Sequence, residues 1–249
     1  ADYSKNKVEV SVATNRFFSF TRPAGRTARI VSALSSDDVE EIIVRPMNGD
    51  SEVARIVFHR KEFDQADEFR GSSAELLAKS KIESDSSNPL YEKADFIPKV
   101  EFPEFRWNMS PGLKHQIGGP EAFYLGQLYW RTDTSIKFAR GLSLYTSLGL
   151  NIYDNFEFAN PSFSTIPRVR SDIQEYLREG KSNIMRMQFE YMFSPLKDIF
   201  VRTDFGLLEE MFGGLGGQIL YRPIEKRYAF GLSLHRVRQR GYAQRFDFK

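Results

Sequence analysis

Charged side chains recur at spacings of two or four along several stretches of this chain. Arg168, Arg170 and Asp172 form one such row, Arg186 and Glu190 another, Arg202 and Asp204 another, and Arg222 closes a run rich in glycine. Residues spaced by two share one face of an extended strand, so each row would project from one side of a sheet. Guanidinium groups beside tyrosines suit an acidic or hydroxyl-rich glycan, held by charge and by stacking. Opposite charges on neighbouring strands also pair with one another, which is the plainer role for such rows.

Other constellations carry less chemistry. Glu209-Glu210 is the obvious carboxylate pair. Glycoside hydrolysis needs two carboxyls at a defined separation, and a lyase needs a base plus stabilisation of the developing charge. Adjacent residues of a strand point to opposite faces, so this pair reads as ion-pair partners and no catalytic residue is assigned. His59, His115 and His235 have no ligand spacing, so no metal is expected. The chain has 0 cysteines, which excludes disulfides, thiolate nucleophiles and Cys-ligated metals. Gly213-Gly214-Leu215-Gly216-Gly217 lacks the Lys-Ser/Thr of a phosphate loop and reads as a bulge, a turn or a close backbone approach. No cofactor is implied.

The elements that must position these residues fall into two regions. Residues 1–82 predict a small soluble α+β domain. Val8, Val10 and Val12 alternate with polar residues and the strand is read on through Phe17, Phe18 and Phe20. A helix follows from Pro23 with Ala24, Ala28, Ile30, Val31 and Leu34 at helical spacing. Two β-rich runs, Val39–Arg45 and Glu52–His59, flank Asn48-Gly49, a hairpin signal. A polar helical stretch from Arg60 to about Lys81 is interrupted at Gly71. Residues 83–104 read as a linker, rich in Ser, Asp and Pro.

Residues 105–249 predict an all-β antiparallel meander of about eight strands. The clearest is Leu142–Tyr153, where Leu142, Leu144, Leu148, Leu150 and Ile152 alternate with Ser143, Tyr145, Ser147, Gly149 and Asn151. Arg140-Gly141 joins it to Gln127–Phe138 by a turn short enough only for a hairpin. Phe105–Gln116, Val169–Leu177, Ile184–Phe193, Ile199–Leu207, Leu215–Arg222 and Arg227–His235 complete the set. The strands exceed the roughly 5–6 residues of a globular strand and match the roughly 9–11 of a tilted membrane-spanning one.

Bulk properties leave two architectures open. The net charge of +2 gives no electrostatic case for nucleic acid. Mean hydropathy is −0.44, and no apolar run reaches the roughly 18 residues of a membrane helix. A barrel is compatible with that average, because half of its strand residues face a polar lumen. A soluble sandwich would turn the apolar faces inward; an outer-membrane barrel, or part of a barrel wall, would turn them to lipid. Aromatics near strand ends (Tyr124, Trp130, Tyr153, Tyr221, Tyr228) and charged polar faces favour the barrel.

Four long stretches carry a family resemblance. RWNMSPGLKHQIGGPEAFYLGQLYWR (Arg106–Arg131), GLSLYTSLGLNIYDNF (Gly141–Phe156), IPRVRSDIQEYLREG (Ile166–Gly180) and GLLEEMFGGLGGQILYRP (Gly206–Pro223) are similar to YjbH/GfcD-type exopolysaccharide and capsule biosynthesis proteins of Gram-negative envelopes. The resemblance implies an outer-membrane β-barrel protein, often a lipoprotein, involved in secreting or assembling an extracellular polysaccharide, and with no catalytic residue assigned a non-enzymatic role is expected. Its implied partners are the polysaccharide, outer-membrane lipid and other envelope export proteins, with the N-terminal domain in the periplasm. Members of that family are much longer than 249 residues, so an internal fragment is expected. On this reading Leu142 to Ile152 face lipid, Arg140-Gly141 is a periplasmic turn and Asp154–Pro167 an outward loop. The alternative is a soluble β-rich polysaccharide hydrolase or lyase.

Overall fold

The computed structural model describes residues 2–4, 6–13, 19–48, 51–84, 94–97, 99, 101–117, 123–158, 170 and 172–249. They belong to two compact units. One comprises Ala1–Glu101 with Met192–Arg202 and Gln218–Leu232, the other Phe102–Tyr191 with Thr203–Gly217 and Ser233–Lys249.

The first unit contains a six-stranded sheet. Its strands are β1 (Asp2–Ser4), β2 (Lys7–Ala13), β3 (Glu41–Asn48), β4 (Ser51–Glu52), β5 (Arg55–His59) and β6 (Lys81–Glu83). The order is β1-β2-β3-β5-β6, with β4 paired to β3. Strands β2 and β3 are parallel, Val8 opposite Ile42 and Val10 opposite Val44. Parallel neighbours need a crossover, and α1 (Thr21–Leu34) supplies it. Phe17 and Phe18 lie outside the described residues, and Phe20 caps α1 instead of extending β2. Pro23 sits in the first turn, where a missing N–H leaves no helical bond unmade. Ala24 and Ala28 pack with Val8, Ile42, Val44 and Ile56 in the core. Ile30 and Leu34 point outward, so the packed stripe is narrower than the spacing predicts.

Two short helices follow, α2 (Arg60–Asp67) and α3 (Ser73–Lys79), parted at Gly71 as expected. Ser72 accepts from the Glu75 amide at 3.1 Å and its own amide donates to Glu75 at 2.9 Å, a reciprocal cap. Lys81–Glu83, at the junction of the expected helical stretch and the expected linker, pairs with β5 and widens the sheet. The second face of β3 buries charge. Arg45 donates through Nε to Glu52 at 2.6 Å and lies 3.3 Å from Glu9, while Arg55 lies 3.3 Å from Glu52. Burial raises the Glu52 carboxyl above its ordinary value even beside these two arginines.

The remaining strands form one antiparallel meander of seven, in chain order. They are β7 (Glu104–Ile117), β8 (Tyr124–Ala139), β9 (Leu142–Asp154), β10 (Asn183–Leu196), β11 (Ile199–Leu207), β12 (Phe212–Tyr221) and β13 (Phe230–Gln239). The turn from β8 to β9 is Arg140-Gly141, with Gly141 at φ 76°, a conformation that favours glycine. Strands β7 and β13 are the edges and do not pair with each other, so the described residues form an open sheet and not a closed barrel.

Among the described residues the sheet has seven strands and not about eight, because the end of the run Val169–Leu177 is helical. Ile173–Glu179 forms helix α4. Ile173 and Leu177 suit a strand of period two, but four residues apart they also share a helical face. Gln174, Glu175, Arg178 and Glu179 in the rest of the segment favour a helix. Tyr176 is fully buried, and Leu177 packs on Leu125 and Phe156.

The meander is inverted with respect to water. On β9, Leu148, Leu150 and Ile152 are 39%, 57% and 56% exposed, whereas Ser143 and Ser147 are 6% and 5% exposed. Register carries the pattern across neighbours: Leu150 lies opposite Trp130, and Leu144 opposite Ile136 and Phe189. Rings stack over this apolar face, Phe138 on Phe189 at 6.2 Å and Phe189 on Phe205 at 5.0 Å. Phe105, Trp107, Met109 and Leu113 of β7 are exposed, as are Phe230, Leu232 and Leu234 of β13.

Candidate functional site

The polar face of the meander carries Arg186, Glu190 and Asp204, and in the second unit it is partly covered by the protein itself. Helix α4 and residues Arg240–Lys249 account for much of that cover. Tyr176 donates through its hydroxyl to the Arg240 carbonyl at 2.6 Å, and Gln244 donates to the Tyr176 carbonyl at 2.8 Å. Asn183 of β10 donates to Gln244 at 2.6 Å. The fully buried Arg240 guanidinium donates to the carbonyls of Glu209, Gln244 and Arg245 at 2.7, 2.6 and 2.9 Å. Burial lowers that guanidinium below its ordinary value and pushes the Tyr176 hydroxyl up to about 12. The Tyr176 hydroxyl therefore stays protonated across the neutral range.

A polar groove lies in the same unit. Four strands contribute to a cavity of about 280 Å³ with Arg106, Asn108, Arg131, Asp133, Tyr145 and Arg186 among its walls. Pairing sets Asn108 opposite Asp133, and Asp133 opposite Ser147. Arg131 donates to Asp133 at 3.0 Å, and Arg186 donates to Gln188 at 2.8 Å. The Arg186 guanidinium lies 5.6 Å from the centre of the Tyr145 ring. Cations, amides and an aromatic ring in one groove can hold hydroxyls and the C–H face of a sugar ring.

A second cavity, of about 240 Å³, belongs to the first unit. Arg202 of β11 and Arg222 just beyond β12 line it, with Gln218, Asn48 and Ser51. Met192, Phe200 and Leu220 give it apolar walls. Arg222 donates to the Val53 carbonyl at 3.0 Å and stands 5.7 Å from the Phe200 ring centre. Ser51 is 1% exposed. Its hydroxyl and the buried Nε of Arg222 have no hydrogen-bond partner among the described residues.

The charged rows do not converge on one site. Arg168 lies outside the described residues. Arg170 is exposed and donates to both carboxylate oxygens of Glu209, at 3.0 and 2.9 Å. Asp172 is not on a strand: it is buried at the N-terminus of α4 and accepts from Gln239 at 2.7 Å. Arg186 and Glu190 share the polar face of β10, Glu190 opposite Ser143. Asp204 is buried with His235 Nε2 at 3.6 Å. Arg202 and Arg222, from two of the rows, share the wall of one cavity.

Glu209 and Glu210 lie between β11 and β12 and not within a strand. Glu209 pairs with Arg170, and Glu210 with Lys114 at 2.6 Å. The glycine run is part of β12, where a Cβ on Gly214 would stand 2.2 Å from the Arg236 carbonyl and one on Gly216 2.1 Å from the His235 ring. Close approach is thus its role. Sequence reasoning missed Arg131, Tyr145, Asn48 and Ser51. The first two sit in polar positions of legible strands, whereas only long-range packing brings the last two to Arg222. Among the described residues no group of three His, Asp or Glu could hold a metal ion.

These features define a mostly β protein whose long antiparallel strands turn apolar side chains outward and charged ones toward cavities. Within that class the chain belongs to the YjbH family, described as "Exopolysaccharide biosynthesis protein YbjH", whose model matches residues 1–249. It is 33% identical over 156 residues to "Uncharacterized lipoprotein YjbH" of Escherichia coli (strain K12), a match covering 59% of this chain and 22% of that protein. The chain thus corresponds to a minor part of that relative's length. No solved structure matches it.

Proposed function

We propose that this chain is part of the wall of an outer-membrane β-barrel that assists export or assembly of an extracellular polysaccharide without catalysing a reaction. The observation that carries the reading is the inversion of the meander. Water would drive Leu148, Leu150 and Ile152 inward and leave Ser143 and Ser147 outside, whereas lipid favours the arrangement seen. Strands of 14, 16, 13 and 14 residues in β7 to β10 are long enough to cross a bilayer with tilt. The family's connection with exopolysaccharide supplies the cargo, and the groove at Arg131, Tyr145 and Arg186 offers it a surface. The ion pairing of Glu209 with Arg170 and of Glu210 with Lys114 supports a role without a catalytic carboxylate pair.

The test replaces Arg131 and Arg186 by Gln in the full protein and measures secreted polymer. Secretion should fall several-fold while the protein stays folded in the outer-membrane fraction. Unchanged secretion, or a protein found only in the soluble fraction, overturns the reading.

A further inference from the structure

We propose that the cavity at Arg202 and Arg222 is a subsite for a carboxylate-bearing sugar, of the uronic acid kind. The proposal rests on the polysaccharide reading only for the ligand being a sugar; the charge selectivity comes from the cavity itself. Among the described residues its lining carries Arg202 and Arg222 and no carboxylate, and the buried Arg222 Nε has no acceptor there, so a carboxylate suits it. Arg222 is held in place by its bond to the Val53 carbonyl at 3.0 Å. A carboxylate approaching the buried Nε of Arg222 would give that donor an acceptor, and a second guanidinium nearby would share the charge. The Ser51 hydroxyl, buried and without a partner among the described residues, can serve a carboxylate oxygen or a ring hydroxyl.

The remaining walls argue for a sugar over a bare anion. Met192, Phe200 and Leu220 offer apolar surface that suits the C–H face of a pyranose and gives nothing to inorganic phosphate. The amides of Asn48 and Gln218 can each donate to and accept from hydroxyls. A volume of about 240 Å³ takes a single sugar ring and excludes a long chain lying lengthwise. The cavity would therefore grip one acidic unit at a time.

The test is calorimetric titration of the full protein, in detergent, with three probes: trigalacturonate, maltotriose and inorganic phosphate. Trigalacturonate should bind at least about tenfold more tightly than either of the others, the worth of one good charge-assisted contact. Arg202→Gln, which leaves the bond from Arg222 to Val53 intact, should weaken trigalacturonate about tenfold, and Ser51→Ala a few-fold. Circular dichroism unchanged in both variants shows that the fold survives. Equal binding of maltotriose, or full affinity in Arg202→Gln, overturns the proposal. Phosphate binding as tight as trigalacturonate overturns it in favour of a phosphate site. Lost secretion in the Arg131 and Arg186 variants with no uronate selectivity here would sink the subsite alone. Uronate selectivity with secretion unaffected would sink the export role and leave the subsite standing.

Discussion

Strands β3 and β9 alternate with the same period and bury opposite things. On β3, Ile42 and Val44 turn to a core shared with Ala24 and Ala28 of α1. On β9, Ser143 and Ser147 are the buried members and the leucines lie outside. A period of two says which residues share a face and nothing about which face meets solvent. What decides is the cover available. An amphipathic helix lies over β3, whereas the polar side of the meander in the second unit has α4 and Arg240–Lys249, rich in hydrogen-bonding groups. The contrast also sets how each sheet handles charge: β3 buries an ion network, while the outward face of β9 carries none.

Substituting one acid into each sheet gives the largest effect and could break the comparison outright. Val44→Asp places an unpaired carboxylate in the apolar core and should cost roughly 3–5 kcal/mol, enough to melt β2 and β3 by hydrogen exchange. Leu150→Asp should leave those amides protected. Leu150→Arg should cost about 2–4 kcal/mol in lipid bilayers but within about 0.5 kcal/mol if that face met water. Denaturant titration in vesicles decides between them, and a cost near zero in lipid would return β9 to the soluble kind. Arg240→Met comes next. It strips a donor from the carbonyls of Glu209, Gln244 and Arg245, of which the buried Gln244 one keeps the Ile184 amide at 3.2 Å, should cost about 1–3 kcal/mol in all, and should loosen α4 while sparing α1. The smallest effect belongs to the cap of α3. Ser72→Ala should cost about 1 kcal/mol of local stability. The Ser72 amide holds the Glu75 carboxyl below its ordinary value, so that part of the cap is present above the unfolded carboxyl's titration and fades as pH falls through the folded one.

Most of the architecture was legible because alternation and turn chemistry are local. Leu142–Asp154, Arg140-Gly141 and the break between α2 and α3 could be read directly. Helix α4 could not, since its apolar residues satisfy two periods at once and its burial depends on Arg240, 64 positions from Tyr176. The cavity was half legible. Arg202 and Arg222 stood out as charges, but Ser51 is an ordinary serine until Arg222 reaches Val53 across 169 positions. The buried pairing of Arg45 with Glu52 was missed because both read as surface charges of a small soluble domain.

The cover on the polar face also has a chronology. Its bonds join residues 61, 64 and 68 positions apart, from Asn183 to Gln244, Tyr176 to Arg240, and Gln244 back to Tyr176. None can form while the intervening strands are still being made. Loop closure must come before any of these bonds is gained, so they should be among the slowest to close. Until then Asn183 and the Tyr176 hydroxyl must be satisfied by water, so the polar interior of this sheet starts wet and becomes sealed only as its last partners arrive.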